Sequence, residues 1–219
     1  GNNQESSSEA LMSYAALVEW GSYTGNRRLR DFGIVLYATH VRAIQEYWYD
    51  IDQENFPEDW EADMAGIVWG TNVAHQTWWT ADSEAVYGIN MLPLSGFSMY
   101  LGRDDALAER SFRSVSDRKG GTFDYWPDIM WMYRAFSDPD DAIDRFESRA
   151  DSYEGEATQE KSHTLYWLYT LRALGSPEEN VTADTPFYQV FDDGTDRTYV
   201  AYNSASEPRT VTFSDGAEL

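Results

Sequence analysis

Cysteine is absent from the 219 residues, which excludes disulfides, zinc–thiolate sites and cysteine nucleophiles. Lysine is nearly absent, with Lys119 and Lys161 the two in the chain. The three histidines, His40, His75 and His163, are scattered and lack metal-ligand spacing, so neither a metal nor a cofactor is expected. No run of about 18 apolar residues occurs, and no membrane partner is expected. A phosphate-binding glycine loop, a nucleophile elbow and a dinucleotide fingerprint are all missing. Internal repeats and low-complexity segments are missing too.

What the chain does have is negative charge. There are 38 acidic residues against 16 basic ones, a formal net charge of −22. The acids run along the whole length and form no tail. Evenly spread acid with almost no lysine is the pattern of proteins that work in high salt, where screening removes self-repulsion. A merely acidic secreted protein is the alternative. Either surface repels phosphate, so nucleic acid is not an expected partner. Aromatics are the second excess: 9 Trp, 15 Tyr and 10 Phe. Aromatic faces stack on sugar rings, and helical cores also use such residues heavily.

The apolar residues Ala10, Leu11, Tyr14, Leu17 and Val18 follow helical spacing and predict a helix over 6–20, ended by Gly21 and Gly25. A second helix is predicted over 26–49, with Leu29, Phe32, Leu36, Val41 and Tyr47 as buried candidates. The stretch from Asn55 to Gly102 has Gly and Pro punctuation and no sustained period. It is also rich in tryptophan and tyrosine, so it reads as a structured, site-forming connection. Further helices are predicted over 104–115, 126–136, 140–149 and 158–174. "DPDD" at 138–141 and "TQEK" at 158–161 read as helix starts. After Pro186, "FYQVFDD", "RTYVAYN" and "PRTVTFSDG" alternate as strands do.

The first ten residues, "GNNQESSSEA", carry the sharpest signal. Ser6 with Glu9, and Asn2 with Glu5, have capping-box spacing, so a helix start accounts for one glutamate without any function. It does not account for Asn2, Asn3, Gln4 and three serines crowded around the same carboxylates. Such a hydrogen-bonding shell is what positions a catalytic group. If the segment is helical, Glu5 and Glu9 share one face, with Cβ atoms about 5–6 Å apart. An inverting glycosidase needs its acid and base on opposite sides of the sugar, about 6.5–9.5 Å apart. The pair is therefore not the whole acid/base set, and an acid must come from elsewhere.

The same residues resemble the glutamate motif of glycoside hydrolase family 81, the endo-β-1,3-glucanases, written D-G-N-N-Q-E-S-x-S-E. "GINMLPLSGFSMYLG" at 88–102 resembles that family's G-I-x-M-L-P-L-T-P segment, and "TWWTADSEAVYGINMLP" matches the approach to it. "YWPDIMWMYRAFSDPDDAI" and "TYVAYNSASEPRTVTFSDG" are similar to its later helix and terminal strands. Departures occur at Tyr87, where many relatives carry His, at Gly96, where relatives often have Pro, and through 69–75.

The resemblance implies an inverting endo-β-1,3-glucanase with an (α/α)6 toroid preceded by a β-sandwich. It implies Glu5 as general base, Glu9 as an assisting group and a general-acid aspartate upstream of this chain. The expected fold is mostly α, a partial (α/α)6 toroid over 1–183. A short β segment over 184–219 is expected to pack on it or on the β-sandwich. Substrate contacts are expected from Asn3, Gln4, His75, Trp78, Trp79 and Tyr87. His40 and, by a smaller margin, His163 read as structural. Asp82, Asp124 and Asp128 read as surface acids, with Asp82 the first acid to examine if this chain supplied its own. The implied partner is β-1,3-glucan, bound by an extracellular monomer. As a fragment, the chain alone is expected to be inactive. A non-catalytic β-glucan-binding protein and a purely structural helical piece are the alternatives.

Screening gives the composition a test. The melting temperature and activity of the protein carrying this chain are expected to rise from low to molar NaCl, because 22 excess negative charges repel one another until screened. A thermal scan across a salt series with a flat or falling midpoint would remove the high-salt reading.

Overall fold

The structure, a computed structural model, describes residues 3–70, 72–157 and 159–219, and the Asn3 side chain lies outside that description. The chain is mostly helical, as expected. Strand β1 (Asn3–Gln4) leads into α1 (Ser7–Tyr23), which turns back into α2 (Arg27–Tyr47). The stretch with no sustained period contains strands β2 (Ile67–Trp69) and β3 (Val73–Ala74) and a short helix α3 (Ser83–Ile89). A 3-10 turn (Gly96–Gly102) precedes α4 (Asp105–Arg118), α5 (Pro127–Arg134), α6 (Pro139–Arg149) and α7 (Lys161–Leu174). Strands β4 (Ser176–Pro177), β5 (Tyr188–Asp192) and β6 (Arg197–Ala201) close the order.

Local chemistry explains most of the boundaries. Asn26, Asp104 and Asp138 accept from the backbone N–H of Leu29, Leu107 and Asp141, satisfying first-turn donors of α2, α4 and α6. Pro127 and Pro139 stand at the first helical positions, where proline gives up no bond. The start expected at Thr158 lies outside the described residues, and α7 begins at Lys161.

Helix α5 organises the main core. Ile129, Met130, Trp131, Met132 and Tyr133 are all at most 2% exposed, so this helix is buried all round, with α4, α6 and α7 packed about it. The Trp167 indole N–H of α7 donates to the Met132 carbonyl at 2.9 Å. At the far end, Arg134 pairs with Glu109, Asp138 and Asp141, joining α4, α5 and α6. The last three strands form an antiparallel sheet in the order β4-β5-β6, over a small second core of Val181, Val190, Val211 and Phe213.

Helices α1 and α2 differ from expectation. Gly21 does not end α1 but lies inside it, buried, with the α2 backbone against it. A Cβ there would fall 2.3 Å from the Arg30 nitrogen. Phe32 and Tyr47, expected to be buried, are 56% and 51% exposed. The reason is that α2 lies on the outside of α1 and buries only a narrow stripe, centred on Gly33 and Ile44.

Gly21→Ala tests this close approach. Helix propensity alone would stabilise the variant by about 1 kcal/mol. Overpacking costs about 1–3 kcal/mol and is expected to win, since backbone rather than a flexible side chain opposes the new methyl. A denaturant midpoint at or above that of the unchanged protein would contradict the packing.

Candidate active site

The polar residues of the opening motif divide into two jobs. Asn3 and Gln4 pair antiparallel with Trp69 and Val68, so the chain enters as a strand. Glu5 follows in the link, and Ser6 takes a left-handed conformation (φ 53°, ψ 59°) before α1 begins at Ser7. Such a conformation costs a non-glycine residue on the order of 1–3 kcal/mol, and the surroundings must impose it. The serines do so. The Ser7 N–H and hydroxyl both donate to Asn90 Oδ1, at 3.0 and 3.1 Å. Asn90 Nδ2 in turn donates to the carbonyls of Gly66 (3.2 Å) and Val86 (3.0 Å). Ser8 donates to the Leu92 carbonyl. The first-turn donor of α1 is therefore capped by a residue 83 positions away. Ser6 occupies the N-cap position expected of it, yet its hydroxyl donates to the Glu9 carboxylate and caps nothing.

The shared helical face is corrected by this geometry. Glu5 lies before the helix, not on it, because its neighbours are committed to β2 on one side and to Asn90 on the other. Glu5 is half-buried, and its Oε2 accepts the Trp78 backbone N–H at 2.8 Å. Burial pushes its carboxyl above the ordinary value, the Trp78 hydrogen bond opposes that, and the charge of Glu9 adds to it. A carboxylate with a raised pKa is a better proton acceptor near neutral pH. Glu9 is exposed, in the first turn of α1, where the positive helix end favours it.

Trp78 and Trp79 are 63% and 51% exposed. Their backbone is fixed by buried Thr77, whose N–H bonds the Thr80 carbonyl and whose hydroxyl accepts from Trp79 and Thr80. Trp79 meets Trp126 at 6.3 Å, edge to face, and Trp126 lies 4.5 Å from Tyr125. Neither Tyr125 nor Trp126 was expected here. The signal was two aromatics directly ahead of a helix-starting proline, in "YWPD".

Other expected contacts fall elsewhere. Tyr87 is fully buried in the main core, so a sugar cannot touch it, and its place as a substrate contact is corrected. His75 uses both ring nitrogens inside the fold, Nδ1 donating to the Met64 carbonyl at 2.7 Å and Nε2 accepting from Ser83 at 3.0 Å. Burial holds its pKa below the usual value. Gln4 is half-buried, with its amide 3.3 Å from His40 Nε2. His40 donates to the Ser7 carbonyl at 3.1 Å and lies edge-on to Tyr14 and Trp48. His163 stands against Trp167 on α7. The Asn3 side chain lies outside the described residues.

The three aspartates also separate. Asp124 is exposed. Asp82 caps α3 through the Glu84 N–H and pairs with Lys119 at 2.8 Å, so both its oxygens are engaged within the fold. Asp128 is not a surface acid. It is fully buried, accepts the Glu156 N–H with both oxygens, and is pushed up to about 6, chiefly by burial. Among the described residues, no group of three or more His, Asp or Glu is placed to hold a metal ion.

The sequence profile of the glycosyl hydrolase family 81 C-terminal domain matches residues 1–169. A glucan endo-1,3-β-D-glucosidase from Thermobifida fusca is 45% identical over 219 residues, covering 100% of this chain and 29% of that protein. A protein of the same name from Acetivibrio thermocellus is 41% identical, covering 99% of this chain and 28% of its own length. The solved structure of a mutant family 81 glycoside hydrolase from Clostridium thermocellum superposes with a TM-score of 0.95 at 40% identity, over 100% of this chain and 30% of that one. The chain thus spans less than a third of the length of these relatives.

Asn90→Ala tests the clasp at the site. It strands the Ser7 N–H and the Gly66 and Val86 carbonyls in the interior. A loss of about 2–4 kcal/mol is expected in urea unfolding, since each buried polar group left unpaired costs about 1–3 kcal/mol and some will find water. A loss under about 1 kcal/mol would mean that the clasp contributes little.

Proposed function

The chain belongs to glycoside hydrolase family 81, and from that premise we propose that it forms the general-base side of an inverting endo-β-1,3-glucanase. The observation that carries this is Glu5, a half-buried carboxylate with a raised pKa, fixed on a Trp78 N–H beside two exposed tryptophans. On this reading Glu5 takes a proton from a water molecule. The water attacks the anomeric carbon of a β-1,3 linkage from the α face. A carboxylic acid on the opposite side of the ring protonates the departing oxygen. Glu9 supports Glu5 through its charge.

That acid comes from the region of the relatives that this chain does not span. Glu9 stands beside the base, and Asp82 is engaged in capping α3 and pairing with Lys119. The partner is a β-1,3-glucan chain lying over Trp78 and Trp79, and the enzyme works as an extracellular monomer, where such a polymer is found. The 219-residue chain by itself is then inactive.

The test uses the complete protein that carries this chain. Glu5→Gln keeps the shape of the side chain and removes its capacity to accept a proton. Turnover of laminarin is expected to fall by about 100- to 10,000-fold, with binding of laminari-oligosaccharides retained. Near-normal turnover would show that another residue is the base. Binding without turnover in the unmodified protein would favour a glucan-binding protein.

A further inference from the structure

We propose that Glu84, charge-paired with Lys119, is a positioning residue for a sugar-stacking platform made of Trp79, Tyr125 and Trp126. This proposal rests on the glucanase reading above. Glu84 lies in the first turn of α3 and is fully buried. A buried carboxylate is costly unless paired and hydrogen-bonded. Lys119, one of only two lysines, reaches it at 3.1 Å. The remaining acceptor capacity of Glu84 goes to two successive backbone donors, Asp124 N–H at 3.1 Å and Tyr125 N–H at 2.5 Å.

Those two donors immediately precede the strained residue of the turn. Trp126 has φ 53° and ψ 48°, a left-handed conformation that a tryptophan rarely adopts. Its indole lies against α3 at Gly88, where a Cβ would fall 2.7 Å from Cε3. The carboxylate below and the glycine beside it together fix the ring. Strain held in place this way, at an aromatic next to a candidate base, points to a ligand surface and not only to a turn.

The surface is continuous with the base. Trp78 donates its backbone N–H to Glu5, Trp79 is the next residue, and Trp79 leads edge to face onto Trp126 and then Tyr125. Trp79 and Tyr125 are 51% and 42% exposed. The Trp79 and Trp126 planes meet at 64°, making a corner and not a flat strip. Successive rings of a β-1,3-linked chain are turned relative to one another, so an angled pair of faces suits such a glucan better than coplanar faces would.

The experiment compares Trp126→Ala, Glu84→Gln and the double variant in the complete protein, using a β-1,3-linked glucose hexamer as probe. Each single variant is expected to raise KM, and to weaken binding followed by tryptophan fluorescence, by about three- to tenfold, with kcat changed less than about twofold. The double variant is expected to lose no more than the worse single one, because Glu84 acts through Trp126. Unchanged binding by Trp126→Ala would overturn the platform. Additive losses in the double variant would overturn the positioning role. If Glu84→Gln does not fold, Lys119→Met takes its place, with a smaller loss in the same direction expected and unchanged binding overturning the role. An unmodified protein that neither binds nor cleaves the hexamer would sink the glucanase reading itself, which is a different outcome from either of these.

Discussion

Asn90 holds the site together. Its side chain makes four hydrogen bonds, two accepted from Ser7 and two donated to Gly66 and Val86. Through them the start of α1, the approach to β2 and the end of α3 share one buried amide. Glu5 lies two residues before Ser7, and Trp78 lies between β3 and α3. The Glu5–Trp78 contact is thus set by the clasp on one side and the Thr77 turn on the other. An amide is well suited to this place, because it satisfies a helix N-terminus and two carbonyls at once without bringing a charge into the core.

What was legible in the sequence was local. Asn26, Asp104 and Asp138 were readable as helix starts because a cap bonds a residue two or three places on. Glu5 was singled out as a candidate by its crowd of polar neighbours and by the family resemblance. Its position off the helix was not, since the residue that decides it is 83 positions away. Tyr87 and Trp78 look alike in a tryptophan-rich stretch, and only the packed fold sends one to the core and leaves the other at the surface. Phe32 and Tyr47 were misjudged because spacing reports a helix face without saying whether anything covers it.

The charge is used unevenly. Arg134 collects Glu109, Asp138 and Asp141, and Arg197 collects Glu178, Asp192 and Asp215. The more exposed Arg197 pairs contribute little each, and salt weakens them. Sixteen positive charges cannot neutralise 38 negative ones, so the net excess, and not the bridges, is expected to dominate the response to ionic strength. At the candidate site this field is filtered: Asp82 and Glu84 are offset by Lys119, leaving aromatic faces beside half-buried Glu5.

The central claim is that Glu5 activates water and does not itself attack the sugar. The anomer formed first is the most direct measure of that difference. The complete protein should be mixed with a β-1,3-linked glucose oligomer and followed by proton NMR, faster than the new reducing ends mutarotate. Attack by an activated water inverts the anomeric carbon, so the α-anomer is predicted to appear first. Initial release of the β-anomer would mean a covalent glycosyl intermediate and would contradict the account.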